Sequence, residues 1–561
     1  MVCNMPHSPT PELSATPPVE MGRRGLFIGA GIAVAGTLLP SGTAAAATPA
    51  GAAGPAAAPA IDLHPPAVDP STQTLVPVPD SRVPAAVAAL DTIVGEVMAA
   101  TGVPGLSVAV VHRGEVLHAK GYGVRDVRTR VPVDEKTVFH LASVSKSLSA
   151  TVVAGLVGRR AVAWTDPIVK HLPRFALADS FVTANVTLAD LFSHSSGLPE
   201  HAGDLLEDLG YDQDYILNAL RLEKLDPFRA TYAYTNFGLT AAGVAAAAAA
   251  GPDWATVAED VLFRPLGMSA TSFRSRDFDT RTNRAAMHVR IGKDWVQKFT
   301  RDADAEAPAG SASSNVLDMA RWMVLRLADG TWKGGKVIDA DALALTGTPH
   351  AVSSPPGSAP ARTGFYGLGT NSGVDYTGRV RWSHSGAFAQ GAATSYSLLP
   401  DLDLGIVVLT NGMPLGIPES IGAYFLDLVV GGRIENDWSA LLDPVFARLY
   451  VNPSVLAGKT PPAHPAPPRP DSYYTGTYLN DYYGPVQVVA RGDGLHVLMP
   501  PRPTDYPLQH WDGDRFAFLP VGENALGITE ATFAPGRQTD VAGSMRLEFY
   551  DATGLGSFTR R

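Results

Sequence analysis

The chain has 561 residues, 45% of them apolar and 17% charged, which is the composition of a folded globular protein and excludes wholesale disorder. With 54 acidic and 44 basic side chains the net charge is −10, so no basic excess exists to grip a nucleic-acid backbone. Cys3 is the single cysteine, which rules out an intramolecular disulfide and a multi-cysteine metal site.

From the N-terminus, Arg23-Arg24 precede an apolar run from Leu26 to Leu39 and then small residues, Ala45 and Ala47, at A-x-A spacing. That order reads as a bacterial export signal over residues 1–47, and the paired arginines resemble a twin-arginine signal. The run is too short to span about 30 Å of hydrocarbon comfortably, so no stable transmembrane span is expected after signal removal. Removing 1–47 takes away two Arg, two Glu and Cys3, leaving a thiol-free chain suited to an oxidising compartment. Residues 48–80 are rich in Ala and Pro and read as a linker, and 451–470 (with NPSVLAGKTPPAHPAPPRP) as a second one. Between them lies a body, 81–450, and beyond them a tail, 471–561.

The body opens with a helical pattern over Val83–Ala100. Two apolar runs around Arg113-Gly114 predict a hairpin over Leu106–Gly123. Phe139–Val157 reads as a helix, as does the alanine run Ala241–Ala250, while TSYSLLP and Leu404–Asn411 read as buried strands. Strands, then helices, then strands imply an α/β plan with a sheet flanked by helices. The tail reads as short strands broken by Gly, Pro and Asp (YTGTYLN, GPVQVVA, LHVLMP, RFAFLP, MRLEFY), a pattern that predicts an antiparallel barrel.

Three local patterns carry chemistry. Ser143 and Lys146 in Ser-Val-Ser-Lys would share one helix face. A serine hydroxyl needs a base, and a lysine becomes one near neutral pH only when burial and neighbours lower its pKa. Tyr234 and Asn236, in Tyr-Thr-Asn, offer a phenol to relay a proton and an amide to hold a lysine or a substrate carbonyl. His384, Ser385 and Gly386 form a His-Ser-Gly run in which the glycine permits close backbone approach. The backbone N–H groups of Ser143 and Ala387 would then make an oxyanion hole. Each pattern alone is commonplace, and each has a purely structural reading as a polar helix start, a core aromatic beside a turn, or a packed histidine. There is no H-E-x-x-H, G-x-S-x-G or phosphate-loop signature, and no cofactor is expected.

In this order, and with PGLSVAVVHRGEVLHAKGYG, FHLASVSKS, VTLADLFSHSSGLPE, RPLGMSATSF and YGLGT around them, the three patterns resemble the serine β-lactamase-related family. That family comprises class C β-lactamases, D,D-carboxypeptidases, D-aminopeptidases and related esterases. The resemblance covers nearly all of 85–430. It implies a β-lactamase/transpeptidase-like α/β (α+β) fold: an antiparallel sheet flanked by helices, with an all-helical subdomain. It implies Ser143 as acylated nucleophile, Lys146 as its proton partner, Tyr234 as general base or acid, and Asn236, His384, Ser385 and Gly386 around the substrate. His194 and Ser196 are read as structural. His384 stands where β-lactamases of this type carry the lysine of K-T-G, and a neutral histidine offers no fixed charge to a carboxylate. The implied activity is therefore hydrolysis of esters, amides or D-amino-acid peptides by an exported enzyme. Its partner is a small-molecule or peptide substrate rather than nucleic acid, and D-peptide chemistry would place it near a cell wall. A true β-lactamase or D,D-carboxypeptidase and a non-catalytic binding protein on the same scaffold are the alternatives. The tail resembles the lipocalin-like barrel appended to many members; it is expected to be an autonomous stabilising module, with shaping of the active-site mouth as the alternative.

Overall fold

The computed structural model describes residues 72, 74, 76–537 and 540–561, so the export-type segment 1–47 and most of the 48–80 linker lie outside the described residues. The first helix, α1 (Arg82–Thr101), buries Val83, Ala86, Leu90, Val94 and Val97, a spacing of three and four that aligns them on one face. Among the described residues α1 alone is long and apolar enough to cross a membrane; its buried face packs on the main sheet. At Arg113 and Gly114 φ is +51° and +77°, the double left-handed turn that suits a two-residue hairpin. It joins β1 (Gly105–His112) to β2 (Glu115–Gly123) as the sequence predicts.

Six further strands complete one antiparallel sheet: β3 (Ala351–Ser354), β4 (Gly364–Tyr366), β5 (Asn371–Val374), β6 (Val380–Phe388), β7 (Ala392–Leu399) and β8 (Leu404–Thr410). Their spatial order is β2-β1-β8-β7-β6-β5-β4-β3. The alternation of side chains along β1 and β8 divides two cores. Leu106, Val108, Val110, Leu404, Ile406 and Val408 face α1 and a later helix, Ile417–Val430. Ala109, Val111, Val407 and Leu409 face the helical block that carries the chemistry. Both faces being covered explains why these strands are apolar throughout rather than alternating.

Within that block the notable helices are α2 (Ser145–Gly158), α3 (Asp204–Leu209), α4 (Asn236–Ala250) and α5 (Val316–Leu327). The predicted continuous helix over Phe139–Val157 is corrected: its start is extended. Phe139 and His140 pair with Ser314 and Ser313, Ala142 turns with φ +46°, and a 3₁₀ turn, Ala142–Val144, leads into α2. Backbone hydrogen bonds to the 312–314 segment compete with the helix there, and they win. The alanine run is helical as expected. Its small side chains, with Gly243, let a neighbouring turn approach so closely that a Cβ on Gly243 would lie 2.6 Å from Pro308.

Residues 452–470 are not a free tether. Ala466 accepts from the Gly513 N–H and donates to Asp512, and the Arg469 N–H donates to the Tyr474 hydroxyl, so the segment lies along the tail domain. The tail is one nine-stranded antiparallel sheet. Its edge strands, Thr504–Pro507 and Gln509–Asp512, are separated in sequence by Leu508 alone, so the sheet returns on itself as a nearly closed barrel. Four of its strands, the two edges with Thr529–Pro535 and Ser557–Arg560, fall outside the runs picked out in the sequence. The barrel core, with Tyr483, Val497, Tyr506 and Phe558, is continuous with the core of the helical block. Polar contacts fasten the two: Tyr211 and Tyr215 donate to the carbonyls of Tyr483 and Tyr482, and the Tyr482 hydroxyl accepts from the Gly203 N–H.

Leu90 is fully buried between α1 and the sheet. Leu90→Ala is expected to lower unfolding stability by about 2–5 kcal/mol in equilibrium urea titration. A loss below about 0.5 kcal/mol, the range of an inert surface change, would show that α1 does not contribute to the sheet's core.

Candidate active site

Four serines at alternating positions, Ser143, Ser145, Ser147 and Ser149, sit in the turn and first helical turns of α2, and all are buried. Burial of hydroxyls requires partners. The Ser145 hydroxyl accepts from the Ala312 N–H at 2.9 Å, Ser147 donates to the Gly369 carbonyl at 2.6 Å, and Ser149 to the Pro308 carbonyl at 2.6 Å. The last three bonds clamp the helix start against the 307–312 and 369 segments.

Lys146 is completely buried and reaches three acceptors: Ser143 Oγ at 3.0 Å, Asn236 Oδ1 at 2.7 Å and the Ala309 carbonyl at 3.1 Å. Its pKa is pushed down to about 8 by burial, which the nearby carboxylates of Glu306, Asp204 and Glu207 oppose. Asn236 opens α4, and its amide bridges two groups: the oxygen accepts from Lys146, the nitrogen donates to Asp204 Oδ2 at 3.1 Å. Tyr234 is buried beside them. The Lys146 ammonium stands 4.7 Å from its ring centre, a cation–π distance. Burial raises the Tyr234 pKa well above the ordinary phenol value, and the side chain of Ser143 pulls it back down. Among the described residues the Tyr234 hydroxyl has no partner of hydrogen-bond geometry. The three groups expected to work together, Ser143, Lys146 and Tyr234, are thus brought into one buried cluster from positions about ninety residues apart.

On the other side of Ser143 stands β6. A Cβ on Gly386 would lie 2.1 Å from the Leu141 carbonyl and 3.0 Å from the Ser143 nitrogen, so only glycine admits this approach. The next residue, Ala387, lines the same cavity as Ser143, as an oxyanion pair requires. His384 and Ser385 do not line that cavity. His384 Nε2 pairs with the Tyr366 hydroxyl at 2.8 Å and Nδ1 with the Ser385 carbonyl at 2.6 Å. Burial, with Lys146 nearby, holds its pKa down at about 3, so the imidazole is neutral. Ser385 turns its hydroxyl to the buried Glu419, whose pKa burial raises to about 7. His194 packs on Tyr234 at 4.4 Å between ring centres and accepts the Thr235 N–H on Nδ1. Ser196 accepts the Leu198 N–H. Both contacts are of the structural kind read from the sequence, although His194 touches a candidate catalytic ring.

The cavity beside Ser143 holds residues that no sequence motif announced: Asp204, Glu207, Asp208, Arg301, Glu306, Glu523 and Asn524. Arg301 is the hub. Its guanidinium lies 2.6 Å from Glu207, 3.4 Å from Glu306, 3.6 Å from Asp208 and 3.3 Å from Glu523. Burial raises the Glu523 carboxyl to about 8 despite the arginine. Glu523 and Asn524 belong to the barrel. Glu523 Oε1 accepts from the Ala389 N–H at 2.9 Å, just beyond the Gly386–Ala387 edge, and Asp208 accepts from the backbone N–H groups of both barrel residues. The expectation of an autonomous module is therefore corrected: the barrel builds part of the cavity wall.

A family model described as Beta-lactamase matches residues 90–430, and a second, a domain of unknown function named DUF3471, matches 460–554. The chain is 25% identical over 482 residues to "Unguisins hydrolase ungD" of Aspergillus violaceofuscus, covering 77% of this chain and 82% of that protein. It is 27% identical to "Penicillin-binding protein 4" of Amycolatopsis lactamdurans over 58% of this chain and 84% of the relative. It is 29% identical to "Esterase EstB" of Burkholderia gladioli over 34% of this chain and 52% of the relative. Among solved structures, the octameric penicillin-binding protein homologue from Pyrococcus abyssi shares the fold with a TM-score of 0.55 at 20% identity, covering 82% of this chain and 98% of that one. With its sheet, its helical block and a family match spanning most of the body, the chain belongs to the Beta-lactamase family of serine hydrolases.

Proposed function

We propose that this protein is an exported hydrolase that works through a covalent acyl-serine at Ser143, on esters, amides or D-amino-acid peptides. The observation that carries the reading is the buried Lys146 nitrogen within 3.0 Å of the Ser143 oxygen. In the proposed reaction neutral Lys146 takes the Ser143 proton as the oxygen attacks the substrate carbonyl carbon. The carbonyl oxygen becomes an oxyanion between the Ser143 and Ala387 N–H groups. Its collapse breaks the bond to the leaving group, which takes the proton through Lys146 and Tyr234. Water then attacks the serine ester, gives up a proton to the same pair, and releases the acid. Asn236 keeps Lys146 aligned while tying it to Asp204. The exported location rests on the twin-arginine-like leader over 1–47.

Two features favour esters, amides and peptides over β-lactams bearing a carboxylate. His384 is neutral and spent on Tyr366 and its own backbone, and the cavity wall is acidic. A carboxylate entering that wall finds its arginine already taken by four carboxyls. The names of the hydrolase and esterase relatives agree with this breadth.

The Lys146 nitrogen is cationic below about pH 8 and free to accept a proton above it. On a neutral p-nitrophenyl ester, kcat/KM is expected to rise with pH and level off above about 8. Lys146→Ala is expected to lower kcat by about 10²–10⁴-fold and abolish that limb. Wild-type rates in that variant, or a pH-independent wild type, would mean that another base serves.

A fluorophosphonate probe is expected to label the native protein and not Ser143→Ala. Gly386→Ala should cut the labelling rate by more than about tenfold, because the new methyl group collides with the Leu141 carbonyl and the Ser143 amide. Full labelling of Gly386→Ala would show that the close approach of β6 is not needed. Nitrocefin turnover faster than that of every ester, anilide and D-amino-acid amide tried would reverse the substrate preference in favour of a β-lactamase.

A further inference from the structure

The helix α3 reads Asp-Leu-Leu-Glu-Asp-Leu. Its acids fall at i, i+3 and i+4 and share one face, while Leu205, Leu206 and Leu209 are buried on the other. The acidic face is not solvated: side chains of Asp204, Glu207 and Asp208 are 7%, 7% and 3% exposed and turn toward the cavity beside Ser143. Asp204 and Glu207 are each pinned by one oxygen, and Asp208 by both. Asp204 Oδ2 takes Asn236 and His201, Glu207 Oε2 takes Arg301, and Asp208 takes the barrel's Asn524 through its amide nitrogen. Three oxygens are left over. Asp204 Oδ1, Glu207 Oε1 and Asn524 Oδ1 are buried, belong to residues lining one cavity, and have no donor among the described residues.

Orphaned buried acceptors are costly, and three around one space of about 20 Å³ call for a small group with several N–H donors. The charge agrees once a cation is in place: the lining holds five carboxyls and one arginine, burial raises the pKa values of Glu207, Asp208, Glu306 and Glu523, and an entering ammonium favours their ionised forms. We infer that Asp204, Glu207 and Asn524 form a subsite for a protonated primary amine of the substrate, placed close to the scissile carbonyl that Ser143 attacks. An ammonium supplies three donors, one for each free oxygen, and a positive charge for the acidic wall. Asp204 reaches Lys146 through Asn236, so the amine and the reacting carbonyl are held by one connected set of side chains. The barrel supplies one of the three oxygens, so the subsite is complete only with the tail domain in place. The inference rests on the acyl-serine reading above and narrows its substrates to amines such as aminoacyl amides.

The test compares D- and L-alanine p-nitroanilide with their N-acetyl counterparts at pH 7, alongside fluorophosphonate labelling of Ser143. For the better enantiomer, kcat/KM is expected to exceed that of the acetylated form by about tenfold or more. Glu207→Gln and Asn524→Leu should each shrink that ratio by about tenfold, chiefly through KM of the free amine. Free alaninamide, and not N-acetylalaninamide, should slow labelling of the wild type, an arm that needs no variant to fold. A wild-type ratio at or below one, equal protection by the two amides, or ratios unchanged in both labelled variants overturns the subsite and leaves the serine hydrolase standing. Labelling at Ser143 without cleavage of either anilide also overturns the subsite. No labelling and no turnover of any ester or anilide overturns the acyl-serine reading and the subsite with it.

Discussion

The arrangement depends on one buried amine. An ammonium removed from water is stable only where acceptors replace its hydration shell, and Lys146 finds three: Ser143 in the turn that leads into its helix, Asn236, and the Ala309 carbonyl. Much of the surrounding sequence follows from that demand. The serines at 145, 147 and 149 hold α2 against the segments that supply the third acceptor and cover the site. The alanine-rich α4, with Gly243, is thin enough for the turn at Pro308 to come in and present Ala309. Burial then does the chemical tuning, because the same desolvation that demands acceptors also moves the amine toward neutrality.

A second constraint couples the two domains. Arg301 gathers carboxylates from α3, from Glu306 and, through Glu523, from the barrel. Such a group of buried charges is tolerable only when every member is paired, and removing one leaves the others exposed to the desolvation cost. The barrel is therefore part of the site's electrostatics, and its docking through Tyr482 and Tyr483 sets where Glu523 and Asn524 stand. This gives the tail a place in the wall beside Ser143.

The hairpin at Arg113-Gly114, the amphipathic α1, the alanine helix and the Ser143–Lys146 pair were legible in the sequence because each is a local pattern with its own period or turn chemistry. The extended start at Phe139–His140 was not, because its pairing partner lies about 170 residues away. Nor was the acidic wall. Asp204, Glu207 and Asp208 look like the solvated face of a short amphipathic helix, and their only sequence signal is the i, i+3, i+4 stripe. That stripe becomes a cavity wall only because Arg301 and a loop of the barrel arrive from elsewhere. His384 shows the opposite case. Its place in the His-Ser-Gly run was plain, but only the fold reveals that both ring nitrogens are occupied within the protein.

The same scaffold thus carries a charge pattern of its own. Fold kinship at 20% identity speaks to the fold alone, and not to what the site attracts. Here the candidate oxyanion strand itself carries an uncharged, satisfied imidazole, while the cavity wall holds carboxyls from two domains. In the proposed reading a substrate anion gains nothing from either, whereas a cation satisfies the free oxygens of the wall. In the proposed reading selectivity therefore resides in the polar groups around Ser143 rather than in the pair that attacks, and those groups belong to residues remote from the three motifs that carry the chemistry.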